Sequence, residues 1–229
     1  MASEQKLTCI GCPVRPLSLF ADVPDSNLKE VGFQPAIQTY RSGDTIIHAD
    51  SDDDALYTIR SGMVKLEGAV SNTHSRIVRL LKTGDTLGLH ALHQAKHPHT
   101  ARALGTVELC RIPHHVIHHV GQEVCELKTA ISQRIAEDVA MADMWITDFS
   151  SGAVPRRLAK FLLYLSKLQT GSSENEVTLL SRDDMAATLG VRQESISRTL
   201  TQFKSEGLLD ARSRNTFIMD KQGLVRLAE

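Results

Sequence analysis

From His114 to Phe149 there is no proline, and Gly121 is the only glycine in that stretch. Cys125, Lys128, Ser132, Ile135, Val139, Ala142, Ile146 and Phe149 recur there at three- and four-residue spacing. A neighbouring stripe of Val124, Leu127, Ile131 and Ile135 widens the apolar face at its start. The spacing predicts one helix of about 30 residues, roughly 45 Å long. That is too long for one side of a β domain of roughly 100 residues. Such a helix is either a single long core element or pairs with its copy across a twofold axis. Ile135, Val139, Ala142 and Ile146 form an apolar strip with no acid to oppose close approach, so a homodimer is expected. Polar Lys128 and Ser132 make the zipper imperfect.

The region before this helix has another character. Short alternating runs appear at 45–49, 55–60, 63–70, 76–81 and 101–112, punctuated by Ser42-Gly43-Asp44, Ser61-Gly62 and Thr83-Gly84-Asp85. Glycine in each predicts a corner. Short strands at such spacing read as a small antiparallel barrel or sandwich beginning near Phe33. The similar Gly-Asp corners at 43–44 and 84–85 suggest two comparable halves.

After the helix, Ser150-Ser151-Gly152 marks a hinge. A helix is expected over 154–168, with Pro155 in its first turn. A polar loop follows over 169–176, and then two short helices, 181–189 and 192–204, around Gly190. Ser181 can cap the first of these. Met185, Ala186, Leu189, Val191, Ile196, Leu200 and Phe203 supply a small core. Gly207 ends the second helix, and LLDARSRNTFIMD offers two short strands around a basic turn. Gln193, Glu194, Ser197 and Arg198 remain on the solvent side of the second helix, a composition suited to base edges. Arg198 can donate twice to guanine O6 and N7, and Glu194 can accept from cytosine N4. Arg182, Arg192, Arg212 and Arg214 are candidate phosphate contacts.

Charge agrees without deciding the matter. Residues 1–150 carry 14 Lys/Arg against 18 Asp/Glu, whereas residues 151–229 carry 12 against 9. No run of eighteen apolar residues suggests a membrane span, and the opening MASEQKLTCIGC lacks the pattern of a secretory leader. A cytoplasmic protein is expected, in which thiols act as ligands or redox groups rather than structural disulfides. There is no phosphate loop, nucleophile motif or convincing acid pair, so no enzyme is expected.

The stretch LSRDDMAATLGVRQESISRTLTQFKSEGLL, together with the roll and long helix before it, resembles the CRP/FNR superfamily of bacterial transcription regulators. The resemblance implies an α+β architecture: a leader over 1–24, a β jelly-roll sensor over 25–112, a long dimerisation helix over 113–149 and a winged helix-turn-helix over 150–229. Glu194, Ser197 and Arg198 fall on the E-x-x-S-R pattern of the FNR branch, which implies TTGAT- or TTGAC-like half-sites in an inverted repeat. Double-stranded DNA and RNA polymerase are the implied partners.

Members of the superfamily that bind cyclic AMP carry a Gly-Glu-Leu corner followed by Arg-Ser or Arg-Thr. Here GLHALHQAKHPHTARA puts Leu89 at the acid and His97-Pro98 at the pair. Neutral imidazole substitutes poorly for guanidinium against a phosphate, so cyclic AMP is not expected. In the oxygen-sensing branch Cys-x2-Cys-x5-Cys and one distant cysteine before Ile-Pro hold a 4Fe–4S cluster. Cys9, Cys12 and Cys110 match this pattern, but the third position is Ser18. Four outcomes stay open. The fourth ligand is Cys125, or less conventionally Ser18, Asp22 or a histidine; three cysteines hold the cluster alone; Cys9 and Cys12 form a redox pair; or the thiols are relics. Control without a cluster, by thiols, haem or a small ligand, is the alternative, as is a constitutive DNA-binding dimer. The histidine groups 90, 93, 97, 99 and 114, 115, 118, 119 are a secondary reading for metal or haem.

Overall fold

A computed structural model describes residues 9–30, 34–71, 74–92, 96–169 and 175–229. The expected start of the roll at Phe33, and His93, lie outside these residues. The chain divides into two compact units. The first takes in the N-terminal segment to Gly68 and continues over Arg79–Val139; the second comprises Ala69–Val78 and Ala140–Glu229.

The first unit opens with tight turns and the helix α1 (Asp25–Glu30). The strands are β1 (Ala36–Tyr40), β2 (Thr45–Ile47), β3 (Ala55–Ser71), β4 (His74–Leu81), β5 (Thr86–Leu87) and β6 (Thr100–Pro113). They form one sheet in the order β1-β6-β3-β4, with β2 on β6 and β5 on β3. All described pairings are antiparallel. Alternation in the sequence explains the core: Ile59, Val64, Val107 and Leu109 are wholly excluded from solvent.

Ser61-Gly62 is not the expected corner. β3 runs through it, and the register against β6 slips on either side of Ser61. Gly62 has φ +88°, and a Cβ there would stand 2.4 Å from the Thr106 carbonyl oxygen. The glycine serves a bulge within one long strand, which explains the turn-like local signal.

The helix expected to run unbroken from Pro113 to Phe149 is interrupted once, at Val124. Helix α2 (His114–Glu123) buries Val116, Ile117 and Val120. Val124 is extended (φ −117°, ψ 102°), and α3 (Cys125–Met144) begins after it. A π-helical turn, Trp145–Phe149, ends the run. Along α3 only Leu127 is fully buried. The change in burial face at a β-branched residue, where extended backbone is cheap, accounts for the break. Val124 itself packs with Leu19, Phe20, Val23 and the α2 residues. Leu19, Phe20 and Val23 are thus part of a core shared with α2, and Cys9 packs against it.

The second unit contains α4 (Val154–Leu168), β7 (Glu176–Thr178), α5 (Arg182–Leu189), α6 (Gln193–Ser205), β8 (Leu209–Ala211), β9 (Thr216–Met219) and α7 (Lys221–Ala228). β7, of which only Glu176 fell in the expected loop, adds to the wing sheet in the order β7-β9-β8. α7 has no counterpart in the sequence reading. Leu158, Phe161, Leu165, Met185, Ile196 and Phe203 are its solvent-free core.

Candidate functional site

Three features emerge: an exposed helix face, a chamber of thiols and a small histidine-lined cavity.

Ser181 caps α5, its hydroxyl oxygen accepting from the Asp184 N–H at 3.0 Å. Gly190 closes α5 in left-handed conformation (φ 62°, ψ 43°), as helix C-termini favour. α6 then buries Ile196, Thr199, Leu200 and Phe203. On its other side Gln193, Glu194 and Arg198 are exposed and Ser197 is half-buried. The four sequence-predicted base contacts are therefore together on one face, at i, i+3 and i, i+4 spacing. Among the phosphate candidates, Arg192 and Arg214 are exposed and Arg182 is half-buried. Arg212 donates to Glu176 Oε2 at 2.5 Å, tying the wing turn to β7. A phosphate would have to compete with that carboxylate, a constraint invisible without β7.

Cys9, Cys12 and Cys110 line one cavity of about 30 Å³, with Ser18, Arg60 and Phe20 among the other walls. Cys110 is buried and Cys125 is exposed. Cys125, the expected fourth ligand, opens α3 and is not among the residues lining this cavity. Burial, and then the neighbouring Cys110 and Cys12, push the Cys9 thiol up to about 11. Burial also raises Cys110, opposed by Arg60, whose Nη1 donates to Cys110 Sγ at 3.8 Å. Ser18 Oγ donates to the Arg15 carbonyl at 2.9 Å and accepts from Phe20 N–H at 3.2 Å. Its hydroxyl is therefore committed to the leader's own backbone. The Arg15 side chain holds the same turns, donating to Asp25 and to the Phe20 and Val23 carbonyls.

Among the described residues no three His, Cys, Asp or Glu donors are close enough to hold a single metal ion. Three soft thiols around a shared space, rather than converging on a point, suit several irons in a cluster better than one ion. The donor set fits three corners of such a cluster. The present cavity has room for only about one water.

Sequence reasoning missed Arg60. A charged residue beside a β3 bulge has no distinguishing local signal; only the β3–β6 pairing brings it to Cys110.

His90 and His97 meet in a second cavity, also about 30 Å³, with His99, Leu89, Arg79 and Asp138. His97 is 1% exposed. Its Nε2–H donates to the Asp53 carbonyl at 3.1 Å, so its Nδ1 accepts from His90 Nε2–H, also at 3.1 Å. Burial, then His97, His99 and Arg79, lower His90 to about 4. Arg79 is paired with Asp138 at 2.6 Å, so the cavity's guanidinium is already neutralised.

Known proteins supply an independent comparison. The family model described as cyclic nucleotide-binding domain matches residues 37–123. The Crp-like helix-turn-helix domain model matches residues 156–227. The anaerobic regulatory protein of Haemophilus influenzae is 28% identical over 191 residues, covering 82% of this chain and 72% of that protein. The fumarate and nitrate reduction regulatory protein of Escherichia coli K12 is also 28% identical, covering 82% and 76%. In the solved structures, FixK2 from Bradyrhizobium japonicum superposes with a TM-score of 0.79 at 20% identity, covering 86% of this chain and 98% of that one. These relatives are regulators rather than enzymes. No helix among the described residues is long and apolar enough to cross a membrane. With a β-rich cyclic nucleotide-binding fold, a helix leading from it and a Crp-like DNA-binding domain, the chain belongs to the CRP/FNR superfamily of transcription regulators.

Proposed function

We propose that the chain is a cytoplasmic homodimeric regulator that reads TTGAT- or TTGAC-like half-sites in an inverted repeat and responds to oxygen, redox state or nitric oxide. The observation that carries the DNA reading is the single solvent face of α6 holding Gln193, Glu194, Ser197 and Arg198 over a fully buried opposite face. In the major groove, Arg198 donates to guanine O6 and N7, Glu194 accepts from cytosine N4, and Ser197 and Gln193 adapt to neighbouring edges. Arg192, Arg214 and Arg182 contact phosphates, and Arg212 joins them only by leaving Glu176. Arg198→Ala is expected to lower affinity for the matched site roughly 10- to 100-fold while leaving scrambled DNA nearly unaffected. Anisotropy titrations at fixed salt read both. Equal wild-type affinity for matched and scrambled duplexes would remove the specific-reader assignment.

Dimerisation uses the outer face of α3 and of the π turn that follows it. Val139 is 58% exposed, and Ile135, Ala142 and Ile146 are exposed as well. A twofold partner would cover them. Val139→Glu is expected to shift the protein to monomer at micromolar concentration, because two carboxylates would then lie buried near the axis. Sedimentation velocity checks this; an unaltered dimer would move the interface elsewhere.

The sensor is assigned to the thiol chamber, with Cys9, Cys12 and Cys110 holding a 4Fe–4S cluster. When bound, that cluster supplies iron reactive toward oxygen and nitric oxide. The chain's own part is to hold the three thiols between β6 and the leader, with Arg15 fastening the leader's turns. A regulator controlled by the thiols alone is the second reading, favoured by the engagement of Ser18 Oγ with the leader backbone. Cyclic AMP is not the proposed effector: Leu89 replaces the ribose-binding acid, and the His90–His97 pair occupies the cavity beside it. The activated dimer would engage RNA polymerase.

A further inference from the structure

The end of β3 and the start of β4, within Ala69–Val78, belong to the same compact unit as residues 140–229. Two consecutive residues anchor them there. Arg76 Nη2 donates to the Thr188 carbonyl at 3.2 Å and is 3.4 Å from Ser150 Oγ. The Ile77 carbonyl accepts from the buried indole N–H of Trp145 at 3.1 Å.

Thr188 is the penultimate residue of α5. Its carbonyl is one of the last four, which lack an intrahelical partner and lie at the negative end of the helix. Arg157 donates to the next carbonyl, Leu189, at 2.8 Å. Two guanidiniums thus cap one helix end. Burial, and then the Arg76 charge, depress the Arg157 pKa, so the paired cations are held against their mutual repulsion by these carbonyls.

Gly190 follows immediately. A Cβ there would stand 2.4 Å from Arg76 Nη1 and 2.7 Å from its Cζ. Glycine at 190 therefore does two things: it permits the left-handed turn, and it leaves a seat for the Arg76 guanidinium. Two residues later Arg192 occupies the N-cap position of α6, without a side-chain capping bond. An open cleft at this point, about 830 Å³, has Val70, Ser75 and Arg76 among its walls, together with Arg192, Gln193 and Glu194.

We propose that Arg76 is a positioning residue for DNA recognition: seated on Gly190 and the α5 C-terminus, it fixes the turn from which α6 presents its base-reading side chains. The inference rests on the reading of α6 as the DNA-contacting helix, but not on the half-site sequence.

The test uses full-length protein and two readouts. Anisotropy with an inverted-repeat duplex measures DNA affinity. Emission of Trp145, the chain's one tryptophan, reports the seat of β4 without DNA. Arg76→Ala is expected to weaken DNA binding roughly tenfold, the scale of hydrogen bonds to a charged group. It should also red-shift Trp145 emission while the far-ultraviolet circular dichroism is retained. Arg76→Lys should recover part of the affinity, keeping the charge but losing the fork. Gly190→Asn tolerates the left-handed backbone but displaces the guanidinium. It should reproduce the loss alone and add little in the Arg76→Ala background.

Unchanged affinity and emission in Arg76→Ala overturns the proposal. So does a loss of affinity with unchanged emission and a salt dependence reduced by about one phosphate contact, because Arg76 would then touch DNA directly. Fully additive effects of the two substitutions also overturn it. If wild-type protein binds every duplex equally, the specific-reader assignment fails, while the emission shift and the double-mutant cycle still decide the role of Arg76.

Discussion

Phe149→Ala is expected to cost about 3–5 kcal/mol of unfolding free energy, among the largest effects of any single truncation in this chain. Phe149 has no solvent exposure. It meets Trp145 edge-on at 4.9 Å between centroids and Phe161 edge-on at 5.5 Å, and is tilted against Tyr164 at 5.6 Å. Each such aromatic pair contributes about 0.5–1.5 kcal/mol beyond area burial, and alanine removes the ring they share. The four rings join the π-helical turn after α3 to α4, so the cavity would open between that turn and α4. Ile146, three residues earlier, is 64% exposed. Ile146→Ala should leave chain stability nearly unchanged and act only on association. Urea unfolding followed by far-ultraviolet circular dichroism compares the two at concentrations low enough that both variants are monomeric, so that association does not enter the midpoint. Similar midpoints would show that the aromatic cluster does not carry the packing described.

These aromatics also show what the sequence could and could not reveal. Phe149 closes a 3/4-spaced stripe with Ile146 and Val139, and periodicity alone assigns all three to one face. The π turn separates them, burying Phe149 and exposing Ile146. One additional residue in a turn shifts a face, and no local signal announces it. Ser61-Gly62 fails for a related reason: glycine at positive φ serves a corner and a bulge equally, and only the β6 partner distinguishes them. By contrast α4, the Ser181 cap, the Gly190 turn and the two wing strands β8 and β9 were legible, because capping and left-handed glycine are local chemistry. The solvent face of α6 was legible for the same reason, since 3.6-residue periodicity and a buried opposite side suffice to place it. The cap made by Arg76 was not. It joins residues 112 apart in the chain, and Gly190 is explained by its turn alone until the arginine is seen in its seat.

The other large effect concerns the thiol chamber and is all-or-none. Cys110→Ala is expected to abolish stable retention of iron and sulfide in anaerobically purified protein, whereas Cys125→Ala should retain both. Cys110 is 8% exposed and shares its cavity with Cys9 and Cys12. Cys125 is exposed and lies outside that lining, so it cannot take over without displacing the start of α3. Proton linkage supplies a second signature. The ligand is the thiolate, and Cys9, held up to about 11 by burial and by the other two thiols, keeps its proton at neutral pH until a cation arrives. Iron loading should therefore release protons and strengthen as pH rises toward that value. Ser18→Cys places a thiol on the same wall and is expected to slow cluster loss in air, because thiolate is a far better iron ligand than hydroxyl. Iron and sulfide assays, with absorbance before and after air, read each variant, and sedimentation establishes that the dimer survives. Full iron content in Cys110→Ala would eliminate the cluster assignment. Loss in both Cys110→Ala and Cys125→Ala, with dimers intact, would require the leader and α3 to rearrange around a fourth cysteine ligand. Colourless protein that takes up no iron yet binds its operator fully would leave the chamber a thiol site, with Cys9 and Cys12 the pair to examine for a reversible disulfide.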